Sequence, residues 1–164
     1  MPIAIGSQTL TNGGTARFNN TDLSSIKFRS TEVWKKQKAL SDLSASQNYT
    51  LSSTSGTMTK EAGTWDLSGF NTLTYTASNG SMGCYYWTSP YGTVYSNSYS
   101  IVLVFADNTT MSMSFGSGKT LNLSSKTDAQ KASVKVRVTC SYSCSTLTNV
   151  AGHVSFSVTN AVAS

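Results

Sequence analysis

The side chains able to do covalent or acid–base chemistry are few and scattered through the chain. One histidine, three cysteines and seven acidic residues serve 164 positions. Ser-His-Asp catalysis needs a histidine held between an activated serine and an orienting carboxylate, and no Gly-x-Ser-x-Gly elbow supplies such a serine to His153. Glycoside hydrolysis needs a pair of carboxylates, and the acids beyond residue 56 are Glu61, Asp66, Asp107 and Asp128, with nothing in their order to group them with a nucleophile or base. Gly116-Ser117-Gly118-Lys119-Thr120 lacks the first glycine of a phosphate loop and lies between strand patterns rather than before a helix. Calcium would require several converging oxygens, so Asp107 reads as hairpin-turn chemistry and Asp128 as the cap of a helical turn over 128–132. The chain therefore reads as non-enzymatic, with no metal and no cofactor.

Cys140 and Cys144 flank Ser141-Tyr142-Ser143, a spacing that suits a short disulfide-closed loop. With Cys84 the count is odd, and no further Cys or His adjoins to complete a zinc set. Free thiols made in a reducing cytoplasm are the expectation, one disulfide the alternative. The densest aromatic stretch is Cys84-Tyr85-Tyr86-Trp87-Thr88-Ser89-Pro90-Tyr91-Gly92-Thr93-Val94-Tyr95. Two readings stand for it. Tyr85, Tyr86, Trp87, Tyr91 and Tyr95 form an outward platform that stacks on sugar faces around the Pro90-Tyr91-Gly92 turn, or they fill the core or a subunit interface.

The net charge of +5 is concentrated near the N-terminus, where Arg17, Lys27, Arg29, Lys35, Lys36 and Lys38 face only Asp22 and Glu32. A basic segment of this kind meets nucleic acid, an anionic surface or an acidic protein neighbour. Nucleic acid is disfavoured, because Phe18, Phe28 and Trp34 have hydrophobic work available and are not needed as exposed stacking platforms. The same segment carries a ten-residue repeat, Arg17-Phe18-Asn19-Asn20-Thr21-Asp22-Leu23 answered by Lys27-Phe28-Arg29-Ser30-Thr31-Glu32-Val33. Two short strands joined by turns explain it, with charges paired across them. So small a unit needs another surface, so Phe18, Phe28, Trp34, Lys35 and Lys36 are candidate assembly residues, docking on another chain or joining copies of this one.

The remaining sequence must position these groups, and it reads as β-structure. Charged residues make up only 12 % of the chain, and the polar surface is left to Ser, Thr and Asn, which suit strands and turns better than helices. Trp65, Leu67 and Phe70 read as core anchors around a turn at Ser68-Gly69. From there Leu73 and Tyr75 share one face of a strand, with Thr72, Thr74 and Thr76 on the other. Strand signals recur at 57–60, 72–76, 84–87, 93–95, 99–105, 110–115, 119–123, 133–139 and 152–159. Turns are expected at Ser78-Asn79-Gly80, Ala106-Asp107-Asn108 and Gly116-Ser117-Gly118. Tyr99 to Phe105 is apolar enough for a strand covered on both faces. Val134, Val136 and Val138 point inward, with Lys135 and Arg137 outward, and Val154-Ser155-Phe156-Ser157-Val158 alternates likewise. Trp34 to Leu40 is compatible with a helical turn. The expected organisation is an arm over 1–34, a connector over 35–56 and an antiparallel β-sandwich over 57–164, all-β and jelly-roll-like. No apolar run approaches the length of a membrane span and no signal peptide is recognisable.

Two resemblances attach to these residues. The Phe-Asn-Asn-Thr-Asp-Leu and Lys-Phe-Arg-Ser-Thr-Glu-Val-Trp-Lys-Lys phrases of 13–37 resemble the short N-terminal element of small virion proteins of tailed bacteriophages. Residues 57–160, opening on Trp65-Asp66-Leu67-Ser68-Gly69-Phe70-Asn71-Thr72-Leu73-Thr74-Tyr75 and running to Val134-Lys135-Val136-Arg137-Val138, are similar to the jelly rolls of carbohydrate-binding modules and phage adhesion domains. The resemblance implies a virion structural or attachment protein: a head decoration, fibre or tail component made in the host cytoplasm. Its implied partners are other virion proteins, further copies of itself and a host-surface glycan. A stand-alone carbohydrate-binding module is the rival reading.

Overall fold

The structure is a computed structural model that describes residues 3–5, 8–10, 16–18, 21–23, 25–28, 31–86, 93–94, 96–143 and 150–164. Three hairpins lead the chain: β1 (Ile3–Ile5) with β2 (Gln8–Leu10), β3 (Ala16–Phe18) with β4 (Thr21–Leu23), and β5 (Ser25–Phe28) with β6 (Thr31–Lys35). The sequence repeat is thus a repeat of hairpins rather than of single strands. In register Arg17 lies opposite Asp22 and Lys27 opposite Glu32, so each phrase sets its basic residue against its own acidic one.

The sandwich is built from β7 (Lys38–Ala39), β8 (Leu43–Thr50), β9 (Ser55–Trp65), β10 (Thr72–Tyr86), β11 (Thr93–Val94), β12 (Ser96–Val104), β13 (Thr110–Ser112), β14 (Gly116–Asn122), the single helical turn α1 (Asp128–Lys131), β15 (Val134–Ser143) and β16 (Val150–Ala163). Two antiparallel sheets face each other. In the first, β16 is flanked by β10 on one side and by β7 and β8 on the other, with β14 and β11 beyond β10; the second runs β13-β12-β15-β9. The pairing is nested: β8 with β16, β9 with β15, β10 with β14, and β12 with β13. Setting the short β7 and β11 aside, the chain is one long ribbon of hairpin within hairpin, wound so that alternate pairs fall in opposite sheets. That is the jelly roll.

The alternating patterns place the core between the sheets. Leu73, Tyr75, Val154 and Val158 from the first sheet are at most 1 % exposed, as are Leu103, Val134, Val136 and Val138 from the second. Trp65, Leu67 and Phe70 are buried where β9 turns toward β10, and Gly69 takes a left-handed φ of 77° in that turn, which glycine adopts without steric cost. Thr72, Thr74 and Thr76 remain half-buried on the outer face. The Ala106-Asp107-Asn108 turn joins β12 to β13, with Asp107 Oδ1 accepting from the Thr109 amide at 3.0 Å.

Several local expectations need correction. The stretch 35–56 is no mere connector, because β7 and β8 pair with β16 and extend the first sheet. Leu43 is buried in the core while the serines of β8 face out, a thin apolar pattern that hid the strand. The Trp34–Leu40 region is extended in β6 and β7 rather than helical. Ser78-Asn79-Gly80 is no turn but lies within β10, where the register against β16 shifts between Asn79 and Met82; glycine inside a strand marks such a bulge. Gly116-Ser117-Gly118 opens β14. Thr127, not Asp128, caps α1, its hydroxyl accepting from the Gln130 amide while the Gln130 side chain accepts from the Thr127 amide. The run from Tyr99 to Phe105 is not covered on both faces throughout, since a two-layer sandwich leaves the outer side of each sheet to solvent. Val102 is half-buried, and Tyr99 is 40 % exposed with its hydroxyl donating to the Met82 carbonyl at 3.0 Å.

Candidate functional site

On the outer face of β8, β16 and β10 polar side chains converge without an ion pair among the described residues. These three strands contain no Asp, Glu, Lys or Arg. Because strand side chains alternate, Ser44, Ser46, Asn48 and Thr50 of β8 stand beside Ala151, His153, Ser155 and Ser157 of β16. Two depressions open there. One, of about 540 Å³, is lined by residues that include Asn48, Thr50, Ser81 and His153. The other, of about 440 Å³, takes in Ser44, Ser46, Ser78, Ser155 and Ser157.

His153 lies opposite Asn48 in register, and its Nδ1 is 2.6 Å from Asn48 Oδ1. With the amide presenting its oxygen, Nδ1 carries the proton and donates. That leaves Nε2 to accept from Ser46 Oγ at 3.4 Å. Serine, imidazole and an orienting amide thus line up, a grouping the sequence hid because 107 positions separate Ser46 from His153. The alignment follows from strand pairing, with Asn48 facing His153 and Ser46 two residues along the same face. Asn48 brings no charge to stabilise an imidazolium, and β16 is paired on both sides, by β10 and by β8. What remains is a neutral row of donors and acceptors held in fixed orientation.

The second sheet presents a different surface. The Arg137 guanidinium grips Glu61 Oε1 through Nη2 at 2.5 Å and Nε at 2.7 Å, and Lys135 Nζ lies 3.5 Å from Oε2. The hydrogen bond from Arg137 holds the Glu61 carboxyl below its ordinary range, more than offsetting partial burial. Lys135 and Arg137 face outward, as their alternation requires, but both are engaged by Glu61 of the neighbouring strand. A third charged contact is structural. Lys131 is only 3 % exposed; its Nζ donates to the Phe70 carbonyl at 2.7 Å and lies 3.0 Å from Asp128 Oδ1, tying α1 to the turn before β10. A lone lysine after Asp128-Ala129-Gln130 gave no hint of this.

Of the residues singled out from sequence, Tyr85 and Tyr86 end β10, where Tyr85 pairs with Ala151 and Val94, and Tyr86 with Val150 and Thr93. Ala151 also lines the larger depression. Trp87, Tyr91 and Tyr95 lie outside the described residues. Phe18 is in β3, Phe28 in β5, and Trp34 and Lys35 in β6. Lys36 sits over the Phe70 ring, 5.0 Å from its centroid, and thus packs on its own sandwich.

No protein-family model, curated protein or solved structure matches the chain.

Cys84 and Cys140 are buried in the core, with Asn97 between them: its Oδ1 accepts from the Cys84 amide at 3.3 Å and lies 4.0 Å from Cys140 Sγ. Burial, and then the neighbouring Cys84, push the Cys140 thiol up to about 11. Cys140 is therefore a protonated core residue rather than a nucleophile, and Cys144 lies outside the described residues. Among the described residues no three of His, Cys, Asp and Glu converge on a metal position, and no helix is long and apolar enough to cross a membrane.

Proposed function

We propose that this chain is a non-enzymatic structural protein of a bacteriophage virion, a head decoration, fibre or tail component whose jelly roll is displayed for contact with the host surface. The observation that carries the reading is the hydroxyl-rich outer face of β8, β16 and β10, strands without Asp, Glu, Lys or Arg, which offers neutral donors and acceptors along two adjoining depressions. The paired hairpins of 16–35, with their repeated basic and acidic positions, suit an arm that docks on other virion proteins or on copies of the chain. The same outer face favours a second reading, a stand-alone carbohydrate-binding module.

Mass spectrometry of purified particles separates the two. The virion reading expects peptides of this chain in particles at a copy number that follows a head or tail component, and a chain lacking 1–34 to fold yet be missing from them. Absence of the intact chain from particles overturns the virion reading and leaves the binding module.

A further inference from the structure

We infer that the two depressions along β16 form one continuous groove that binds a neutral oligosaccharide of several rings, laid parallel to the strand. The inference rests on the proposed surface-contact role and names the ligand chemistry of that surface.

The two depressions adjoin, because Ser46 of the smaller lies 3.4 Å from His153 of the larger, and the chain neighbours Gly80 and Ser81 line one each. From Ala151 to Ser157 the groove follows six residue steps of β16, roughly 20 Å at a rise of about 3.3 Å per residue. Its floor is low at Gly80, where an added Cβ would come within 2.7 Å of Ser155 Oγ. A side chain there would collide with the serine, and the glycine keeps the passage open.

The chemistry selects against charge. A phosphate, sulfate or carboxylate lying along β8, β16 and β10 would lose water and find no lysine or arginine on those strands, and a cationic ligand would find no carboxylate. Sugar hydroxyls both donate and accept, as do the facing serine and threonine hydroxyls and the Asn48 amide. Ser78 and Ser157 already bond each other at 2.8 Å, yet each oxygen keeps a further lone pair for a ligand. A protein partner fits less well, because interface cores are depleted in serine and enriched in aromatics and arginine.

His153 is the only histidine in the chain, so its imidazole gives one resolved side-chain signal at the centre of the groove. The purified full-length protein, labelled at histidine, is titrated with maltose-, cellulose-, chitin- and mannan-derived pentasaccharides and their monosaccharides. A heparin pentasaccharide and oligosialic acid are the anionic arm. The expected result is a saturable shift with at least one neutral pentasaccharide, an affinity about tenfold or more above its monosaccharide, and no shift with the anionic probes. Ser155→Trp, which fills the groove from a half-buried outward position, is expected to weaken binding by more than about tenfold with the melting temperature held. Asn48→Ala, measured by calorimetry, should weaken it less, and Lys135→Ala on the opposite face should leave it unchanged. No saturable shift with any neutral probe overturns the inference. So does a shift with the anionic probes alone, equal affinity for one ring and five, or full binding by a folded Ser155→Trp protein. Presence of the chain in virions is a separate measurement, so failure here leaves the virion reading standing.

Discussion

On the first sheet the outer residues along 44–50 of β8 and 151–157 of β16 are Ser, Thr, Asn, Ala and one His; on the second, β9 and β15 set Glu61 between Arg137 and Lys135. Both surfaces cover the same core. The charged one attracts attention in the sequence, since Lys135 and Arg137 are conspicuous between valines, but both already share Glu61 of the neighbouring strand. The uncharged one looks like filler in the sequence, yet its hydroxyls keep hydrogen-bonding capacity to spare. Charge in a sequence therefore marks where side chains are prominent, not where they are available to a ligand.

The largest effects should test whether the two surfaces share one core. Leu73 of β10 and Leu103 of β12 are both 0 % exposed, one beneath each face. Leu73→Ala and Leu103→Ala should each cost about 2–5 kcal/mol in urea unfolding. A silent result for either would mean that the sheets do not depend on common packing, and the comparison would lose its basis.

Smaller effects should separate the faces by their response to salt. Glu61 and Arg137 are 33 % and 36 % exposed, so Glu61→Ala should cost only about 0.2–1 kcal/mol at low ionic strength and less in molar sodium chloride. Ser78→Ala removes the hydroxyl contact with Ser157 and should cost about 0.5–1.5 kcal/mol, independent of salt. Equal salt dependence at the two positions would erase the distinction.

The smallest effect is in acid. The Gln130 amide, and then the Thr109 hydroxyl, hold the Asp107 carboxyl at about 2 instead of its ordinary 3.8. A depressed carboxyl stabilises the fold above its unfolded value, and that contribution fades as pH falls from near 4 toward 2. Glu61 acts in the same direction. Gln130→Ala should raise the Asp107 titration midpoint seen by NMR and flatten the decline of melting temperature in this window. The strands β8, β16 and β10 have no carboxylate to contribute. An unchanged Asp107 midpoint in the Gln130 variant would refute the assigned cause.

Much of the fold could be read from alternation. Leu73 and Tyr75, Val134 to Val138, and Val154 to Val158 each show a strand with one buried face, and Asp107-Asn108 names its own turn. What escaped was whatever depended on partners distant in sequence. β8 has Leu43, Ala45 and Tyr49 as its apolar face, too sparse among serines to signal a strand, and only its pairing with β16 makes it one. The glycine of Ser78-Asn79-Gly80 serves equally in a turn or a bulge, and its neighbours in β16 decide. The groove was illegible for the same reason. Its serines come from 44–46, 78–81 and 155–157 and resemble the serines found throughout the chain until the strands meet.

The nested pairing also orders events in time. Innermost are β12 and β13, joined by the tight Asp107 turn, so their contacts close the shortest loop of the nest at the least entropic cost and are expected to form first. Each outer pair must close a longer one, and β8 with β16, whose paired residues Asn48 and His153 are 105 positions apart, comes last. Until then β8 waits without its partner, a state in which an apolar strand would seek the edge of another molecule. Its run of Ser, Gln, Asn and Thr removes that hazard. The hydroxyl-rich composition that furnishes the groove should therefore also keep β8, while unpaired, from adding to the edge of another molecule.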